Sequence, residues 1–433
     1  MTVREATSQA GRDVSFRGWL AQRRDHGGVM FLDIADSSGS VQVVVEAETS
    51  NGLYETAEAI SHESCVEVNG RVVAGRAGNN EIVANDIRCI SSARKPVLPY
   101  PRSKFDVFDE KHADHVLRNY HLYMRNPQLI AIMRFRSELM RIVRDWFYEN
   151  DFIEFNAPIL TPATLYEEDT ALNIEVHGEN IFLTQCAGFY LEAAAQALDR
   201  VFNMGPSFRG ETSRSKRHMI EYWHIKAEML HGSRNDIIDL VEAIVAHIVE
   251  QCQIGCADLI RAVGRGFCAD GARIPYPRIS YADAVDHLNR VKCQTNFGEG
   301  IGADAEGVLE DLLGGPYWIV GIPRSVEPFP YVIDPDDRRV TMVADLITSN
   351  RCGELLGVAE KISDPDMLCE RMMEKGKWES PSYEFVKDVH QAGCAPHIAF
   401  GMGLERLIRW LLNLPHVRYA TAFPRLVRRS IYP

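Results

Sequence analysis

A stretch of alternating side chains joined to a basic loop, residues 201–229, most constrains how this chain can fold. From Tyr222 to Met229, polar and apolar residues alternate with a period of two, which is typical of a strand with one polar and one apolar face. The residues up to Arg209 follow the same pattern, so we predict a β-hairpin closed by the loop at 212–218. The basic residues around this loop are Arg209, Arg214, Lys216, Arg217 and His218.

An anion would relieve the repulsion within this basic group. Phosphate fits best, because guanidinium groups bind it with two hydrogen bonds at once. For the loop alone, an exposed basic hairpin is the simpler interpretation. Glu211 and Tyr222 favour a purine nucleotide instead, because an acceptor and an aromatic face beside the arginines can hold the base.

A second stretch, residues 401–413, supports the same idea. Its apolar residues recur at helical spacing, and Gly401 and Gly403 precede them. Arg406 therefore lies in the first turn of a predicted helix, where the helix dipole disfavours a cation but attracts phosphate. Arg406 could simply point to solvent, but the combination with the hairpin predicts a phosphate site. No GxxxxGK[ST] motif occurs, which argues against a P-loop.

Composition restricts the function classes further. Sixty acidic residues against 47 basic ones give a net charge of −13, which argues against general coating of nucleic acid but permits a local basic groove. No apolar run reaches membrane-spanning length, so no membrane partner is expected. The ten cysteines form no CxxC pair, which favours reduced thiols and a cytoplasmic location over a disulfide scaffold or a zinc site.

Two domains and a hinge are predicted. Residues 1–95 contain five short alternating strands with a helix after the third, the pattern of an OB-fold β-barrel. A generic small barrel with a structural role is the alternative. Residues 96–125 form a hinge stiffened by Pro96, Pro99 and Pro101. Residues 126–433 begin with a helix capped by Asn126 and continue with helices and strands of an α+β domain whose sheet is mixed but mainly antiparallel.

The sequence phrases FRGE, RHMIEY and GMGLER resemble motifs 2 and 3 of the class II aminoacyl-tRNA synthetases. The phrases LTQ and YLE before the hairpin, and WLLN and FPR near the end, are most similar to asparaginyl-tRNA synthetases of the archaeal and eukaryotic type. The resemblance covers about Val14 to Pro433. It implies a class II antiparallel-sheet catalytic domain preceded by an anticodon-binding OB-fold, with Phe31 and Arg23 on the base-contacting surface. The strand at 151–160, which contains Pro158, resembles the dimer-forming motif 1 and implies a homodimer.

The resemblance also implies site residues. Arg209 and Arg406 are the expected catalytic residues, and Asp345 and Glu354 the expected ligands of Mg²⁺. Gln185, Gly188, Glu192, Lys361 and His397 are the expected amino-acid pocket. The expected ATP-binding residues are Arg209, Gly210, Glu211, Arg217, His218, Met219, Tyr222, Glu354, Gly403, Leu404, Glu405 and Arg406.

The amino-acid pocket departs from the family pattern, whereas the ATP motifs do not. The mobile-loop Glu-Gly-Gly falls on residues 166–168, which read Tyr-Glu-Glu, and the Ser-x-Gln before YLE falls on residues 186–188, which read Cys-Ala-Gly. Lys361 stands where the family has an arginine, and lysine lacks the bidentate donor geometry. Glu327 stands where a lysine is expected. Changes that converge on one pocket suggest an altered substrate, although drift can explain any single change.

Three hypotheses follow. The first is an asparagine–tRNA ligase that activates its amino acid with ATP through an aminoacyl-adenylate, with tRNA as the acceptor. The second is a synthetase paralogue that adenylates asparagine, aspartate or a relative and transfers it to a non-tRNA amine or metabolite. The third is a non-catalytic RNA-binding protein, which the intact ATP motifs disfavour.

Overall fold

The computed structural model describes residues 1–48, 52–75, 78–94, 105–166, 168–211 and 215–432, which fall into two compact units, Met1–Ala131 and Ile132–Tyr432. None of the helices in these ranges has the length and apolar character needed to cross a bilayer. Several sequence predictions concern residues outside the described ranges: the hinge prolines Pro96, Pro99 and Pro101, together with Glu167 and Arg214.

The first unit contains the predicted OB-fold barrel. Five strands close it in the order β1-β2-β3-β5-β4, and helix α2 lies between β3 and β4 in the chain. Apolar side chains that alternate along the strands, such as Phe16, Leu32 and Val43, fill the barrel, each at most 1% exposed. The elements are α1 (Val3–Thr7), β1 (Asp13–Asp25), β2 (Val29–Asp36), β3 (Gly39–Glu46), α2 (Leu53–Ala59), β4 (Cys65–Ala74) and β5 (Asn80–Ser91).

The described part of the predicted hinge is helical rather than extended. Two short helices, α3 (Ala113–Arg118) and α4 (Tyr120–Tyr123), follow a 3₁₀ turn at Glu110–His112. Aromatic packing gives the reason: the Phe105 ring lies 4.9 Å from that of His112 and 5.5 Å from that of Tyr123. The boundaries at 96 and 125 remain predictions.

The long helix α5 (Pro127–Glu149) begins where the sequence predicts. The Asn126 side-chain oxygen accepts hydrogen bonds from the backbone N–H groups of Gln128, at 2.9 Å, and Leu129, at 3.4 Å. Proline at the first helical position loses no intrahelical hydrogen bond, so Asn126 and Pro127 together define the start of the helix.

An eight-stranded sheet forms the centre of the second unit, in the order β12-β13-β14-β15-β16-β11-β10-β6. The edge pairs β12–β13 and β10–β6 are parallel, and the other neighbours are antiparallel, which confirms the α+β prediction. The strands are β6 (Ile153–Glu154), β10 (Arg200–Phe208), β11 (Glu221–Leu230), β12 (Arg278–Ser280), β13 (Tyr317–Val320), β14 (Val343–Thr348), β15 (Gly353–Lys361) and β16 (His397–Gly403).

Pro158 lies between two short strands and not within one, contrary to the prediction of a single strand at 151–160. β6 ends at Glu154, and β7 (Leu160–Thr161) belongs to a separate sheet with the order β7-β9-β8, where β8 is Leu172–Val176 and β9 is Glu179–Leu183. Proline has no N–H group for a strand ladder, so the chain changes sheets across this residue.

The remaining helices cover the sheet. Ser233 caps the longest of them by accepting from the Asp236 N–H, and Ser280 caps another by accepting from Asp283. They are α6 (Gly188–Leu198), α7 (Arg234–Gly255), α8 (Ala257–Val263), α9 (Tyr281–Arg290), α10 (Ala303–Leu313), α11 (Pro365–Glu374), α12 (Glu384–Gln391) and α13 (Leu404–Leu411), with 3₁₀ turns at Glu168–Thr170, Asp270–Ala272, Pro381–Tyr383 and Val417–Ala420.

Candidate active site

A cavity of about 280 Å³ opens over strands β11, β14, β15 and β16 in the second unit. It brings together most of the residues that the sequence assigns to ATP and the metal, although they come from distant parts of the chain. Those that line it are Arg209, Arg217, His218, Met219, Tyr222, Asp345, Glu354, Gly403, Glu405 and Arg406. Gly210, Glu211 and Leu404 do not line it.

Arg209 lies between two aromatic rings at the end of the hairpin. Its guanidinium carbon is 4.4 Å from the centre of the Tyr166 ring and 5.9 Å from that of Tyr222, and Glu211 lies 3.6 Å away. The buried Nε of Arg209 has no hydrogen-bond partner among the described residues. An unmet donor on a buried cation suits an anionic ligand, as predicted.

Arg406 and Glu354 form an ion pair across the cavity wall. One terminal nitrogen of Arg406 lies 3.1 Å from the Glu354 carboxylate and donates to the Glu354 carbonyl at 3.0 Å. The Nε2 atom of His218 is 3.5 Å from the other terminal nitrogen. Burial and the charges of Arg406 and Arg217 lower the pKa of His218 to about 4. His218 is therefore neutral near pH 7 and can act there only as a hydrogen-bonding group.

Arg217 is bound by an acid that the sequence analysis did not identify. Its Nη1 atom donates to both oxygens of Glu306, at 2.7 and 2.6 Å. Glu306 belongs to helix α10, 89 residues away, and is 4% exposed. The pairing fixes the Arg217 guanidinium at the cavity. The only sequence signal for this pairing was an acidic residue on a helical face that is otherwise apolar.

Glu405 connects the hairpin to two helices. Its carboxylate accepts from the Trp223 N–H at 3.0 Å and lies 2.7 Å from an Arg136 nitrogen on α5. With 1% exposure and both oxygens facing protein groups, it orients the elements that carry Arg406 and Tyr222. Leu404, beside it, is fully buried in the core.

Asp345 and Glu354 face the cavity from neighbouring antiparallel strands. Asp345 pairs in register with Gly357, and Glu354 with Ile347. Burial and the nearby Glu354 charge raise the pKa of Asp345 well above its ordinary value, whereas Arg406 and Arg217 overcome burial and lower the pKa of Glu354. Two close carboxyl groups in a buried site, one of which resists ionisation, suit a divalent cation that neutralises both.

The predicted amino-acid residues lie around or behind the cavity and do not line it. The Gln185 side chain accepts from the backbone N–H groups of Leu165 and Tyr166, at 3.0 and 2.9 Å, and donates to Thr170. It therefore holds the segment that carries Tyr166. Gly188 begins helix α6 next to Cys186, which does line the cavity.

Glu192, Lys361 and His397 form a buried charge cluster with Glu228. The Lys361 ammonium lies 2.7 Å from Glu192 and 3.8 Å from Glu228, and His397 Nε2 lies 3.6 and 3.5 Å from the same two carboxylates. The cation lowers the pKa of Glu192 against the effect of burial, while burial raises that of Glu228. A hydrogen bond with Cys394 and the Glu192 charge overcome burial and raise the pKa of His397 to about 10.

The cavity also contains polar residues that the sequence analysis did not assign. Tyr331, His224 and Lys226 line it, and Lys226 is 7% exposed. The alternation of β11 predicted that His224 and Lys226 share a face with Tyr222. It could not predict that this face points into a cavity. Glu327 lines the cavity as well, and burial and the neighbouring Glu354 raise its pKa to about 7.

On the barrel, Arg23 does not point freely outward as the resemblance implied. Its Nη1 atom donates to the carbonyl oxygens of Ala57, at 3.2 Å, and Ile60, at 3.0 Å, and also to that of Glu58. These are the last carbonyls of helix α2, so this nitrogen caps the helix. Arg24 lies over the Phe31 ring instead, 5.9 Å from its centre.

Comparison with known proteins agrees with this architecture. The family model for class II tRNA synthetases (D, K and N) matches residues 112–427, and that for the OB-fold nucleic acid binding domain matches residues 14–90. An asparagine–tRNA ligase of Desulforamulus reducens is 32% identical, with 100% of this chain and 99% of that protein covered. One from Thermococcus gammatolerans is 33% identical over 98% of this chain and 96% of its own length.

Solved structures agree as well. Asparaginyl-tRNA synthetase from Pyrococcus horikoshii, complexed with asparaginyl-adenylate, superposes with a TM-score of 0.92 at 30% identity, covering 100% of this chain and 99% of that one. The Entamoeba histolytica enzyme, also with asparaginyl-adenylate, gives a TM-score of 0.87 at 25% identity, with the same coverage. With its barrel, its catalytic sheet and its full-length relatives, the chain belongs to the class II aminoacyl-tRNA synthetases, in the family of D, K and N enzymes.

Proposed function

We propose that this protein is an asparagine–tRNA ligase. It activates its amino acid with ATP through an aminoacyl-adenylate and then transfers the acyl group to tRNA. One observation carries the proposal: a single cavity collects Arg209, Arg217 and Arg406 beside the carboxyl groups of Asp345 and Glu354. Three relatives that match over nearly their full length, at 32–34% identity, are asparagine–tRNA ligases.

The first step joins two anions. An oxygen of the amino-acid carboxylate attacks the α-phosphorus of ATP, the new P–O bond forms, and the bond to pyrophosphate breaks. Because no proton has to move, the protein contributes position and positive charge. Arg209, with its unpartnered Nε, suits the α-phosphate and the attacking carboxylate. Arg217 and Arg406, each oriented by a glutamate, suit the pyrophosphate end, and His218 can add a neutral hydrogen-bonding group there.

Tyr222 offers an aromatic face for the adenine beside Arg209, and Glu211 an acceptor for its amino group. Tyr222 is in the cavity wall, and Glu211 is held next to Arg209 by their 3.6 Å ion pair. Met219 lines the same wall and adds apolar contact. Gly403 precedes α13, the helix that carries Arg406.

Magnesium is the metal that the donor set suits. Asp345 and Glu354 supply hard oxygen ligands, and the raised pKa of Asp345 shows that burial and the nearby acids outweigh the charge of Arg406 at that carboxyl group. Bound there with ATP, Mg²⁺ would offset phosphate charge. Arg406 orients Glu354 through their ion pair, and the adjacent strands β14 and β15 carry the two acids.

The barrel is the proposed tRNA-binding domain, with Phe31 and the adjacent Arg24 on its contact surface. We also propose that the enzyme works as a homodimer in the cytoplasm. The strands of motif 1 leave Ile153, Ile159 and Leu160 between 40% and 49% exposed, which suits burial by a second copy. The ten cysteines are all free, as suits a reducing compartment. Sedimentation equilibrium tests the dimer.

ATP–pyrophosphate exchange with all common amino acids, followed by tRNA acylation, tests the function. We expect asparagine-dependent exchange and charged tRNA. Exchange without tRNA charging would favour a paralogue with another acceptor. The absence of exchange with every amino acid would contradict the enzymatic proposal.

Arg209→Ala sharpens this test. Loss of one cation at the reacting phosphate removes transition-state stabilisation, and we expect the exchange rate to fall by about 10²–10³-fold. Arg141→Ala, on the exposed face of α5 with the side chain 61% exposed, is the matched control and should leave exchange unchanged. Equal rates in Arg209→Ala and wild type would mean that the phosphate site lies elsewhere.

A further inference from the structure

Lys226 enters the cavity without a partner. It is 7% exposed, and no hydrogen bond or ion pair joins its ammonium group to a residue in the described part of the chain. Lys361, on β15 and separated from β11 by the single strand β16, shows the usual arrangement, with Glu192 at 2.7 Å. Glu228, two residues along the strand, interacts with Lys226 electrostatically but forms no ion pair with it, and a buried ammonium without a direct partner costs folding free energy.

The backbone leaves space around this lysine. A Cβ atom added to Gly188 would lie 2.9 Å from the Lys226 Nζ, and one added to Gly401 would lie 3.4 Å from its Cε. Glycine at position 188 therefore leaves space beside the ammonium group. At position 401 the closest approach of an added Cβ would be to His224, 2.7 Å away, and its distance to the lysine is an ordinary contact.

The surroundings of Lys226 are positive. Gly188 is the first residue of α6, an 11-residue helix whose N-terminus carries a partial positive charge. Two neighbouring side chains add no negative charge. The Cys186 sulfur accepts a hydrogen bond from the Gly188 N–H, and burial and Lys226 keep the pKa of His224 well below its ordinary value. Glu228 forms its ion pairs with Lys361 and His397 and acts on Lys226 only at longer range. The site requires an anion or a strongly polar oxygen.

The position along the strand indicates which part of a substrate arrives there. Tyr222 and Lys226 are four residues apart on one face of β11, or roughly 13 Å at about 3.3 Å per residue. Arg209 lies near Tyr222, with its guanidinium carbon 5.9 Å from the ring centre. The reacting carboxylate and the phosphate therefore belong at the Tyr222 end, and Lys226 meets the far end of the amino acid.

We propose that Lys226 binds an oxygen of the substrate's side chain and is a specificity-determining residue. Lys226 then binds the side-chain carbonyl oxygen of asparagine, and the side-chain carboxylate of aspartate competes for the same position. This inference rests on the proposed amino-acid activation. It assigns to Lys226 a substrate contact that the sequence motifs did not indicate.

Calorimetric titration of aspartate and asparagine into the full-length protein tests the proposal, in the presence of Mg²⁺ and an α,β-methylene ATP analogue. We expect Lys226→Met to weaken aspartate binding at least tenfold and asparagine binding less. Affinity for the ATP analogue should not change, which also shows that the variant is folded. Lys226→Arg, which keeps the charge, should restore part of the aspartate affinity. Lys292→Met, an exposed lysine, is the matched control.

The outcomes separate this proposal from the proposed function. Unchanged aspartate and asparagine affinities in Lys226→Met would overturn the role of Lys226, even if wild type charges tRNA with asparagine. Wild-type binding of asparagine but not aspartate, or of neither, would also overturn it. Lys226-dependent binding without tRNA charging would support Lys226 and contradict the ligase proposal alone.

Discussion

Three acids with different pKa values face one cavity: Glu327, Asp345 and Glu354. Burial and repulsion raise the pKa of Asp345 strongly and that of Glu327 to about 7, whereas Arg406 lowers the pKa of Glu354 against the effect of burial. In the absence of ligand, the ionised Glu354 therefore suppresses the ionisation of Asp345 and Glu327. A bound cation would lower the pKa of each carboxyl group near it, because it stabilises the ionised carboxylate.

Glu327 gives a pH-dependent stability prediction. Its pKa in the folded protein, about 7, exceeds the ordinary glutamate value of 4.5, so the folded state binds more protons between these values and stability falls as pH rises through this window. Glu327→Gln cannot ionise, so at pH 8 it should be more stable than wild type by about 2 kcal/mol after allowance for screening. At pH 4.5 the difference should vanish. Urea unfolding measures both, with Glu379→Gln, an exposed residue, as the control.

Four secondary-structure elements meet at the buried charge cluster. Lys361 comes from β15, Glu192 from α6, Glu228 from β11 and His397 from β16. Neither oxygen of Glu228 has a hydrogen-bond partner among the described residues, so the charge of Lys361 is its principal compensation, together with that of His397. The cluster therefore depends on Lys361 to hold the helix and the three strands in their relative positions.

Lys361→Met should destabilise the protein by about 3–5 kcal/mol, because it leaves buried carboxylates without their cation. Without Lys361 the pKa of Glu192 should rise, so the loss should be larger at pH 8 than at pH 5, where the acid can take up a proton. The double variant Lys361→Met/Glu192→Gln should recover part of the stability. Urea unfolding at both pH values measures this, and equal stability of wild type and Lys361→Met would contradict the cluster's role.

The whole molecule combines a barrel with a catalytic unit, and the two are expected to serve different steps. The residues proposed for amino-acid activation all belong to the second unit. Recognition of tRNA would add the barrel, where Phe31 and Arg24 lie together on the outer face of the strands. The two steps can therefore be separated by substitution.

Phe31→Ala should impair tRNA acylation and spare activation. Stacking of an unpaired base on an aromatic ring contributes about 1–3 kcal/mol, so we expect kcat/KM for tRNA to fall about tenfold or more while pyrophosphate exchange stays unchanged. Ile90→Ala, 45% exposed on β5 of the same barrel, is the control and should alter neither. A parallel loss of exchange would indicate that Phe31 supports folding instead.

The sequence by itself determined the local elements and the family. Asn126 and Pro127 define a helix start, alternation defines β11, and the motifs around Arg209 and Arg406 identify the family, because each depends on neighbours in the chain. A strand end was predicted at Glu354, but the extent of β15 and the whole of β16 were not. They lie in the middle of the sheet and are covered on both faces, so they lack the alternation that marks a half-exposed strand.

Only the tertiary structure decided how the charged residues pair. Arg217 meets Glu306 across 89 residues, and Lys361 meets Glu192 across 169. Lys226 and Lys361 are both buried lysines, yet one faces the cavity alone and the other lies in an ion-pair cluster. Such pairings depend on the register of distant strands and on which face each strand turns to the core. Local sequence carries no record of either, because the partners become neighbours only when the sheet has formed.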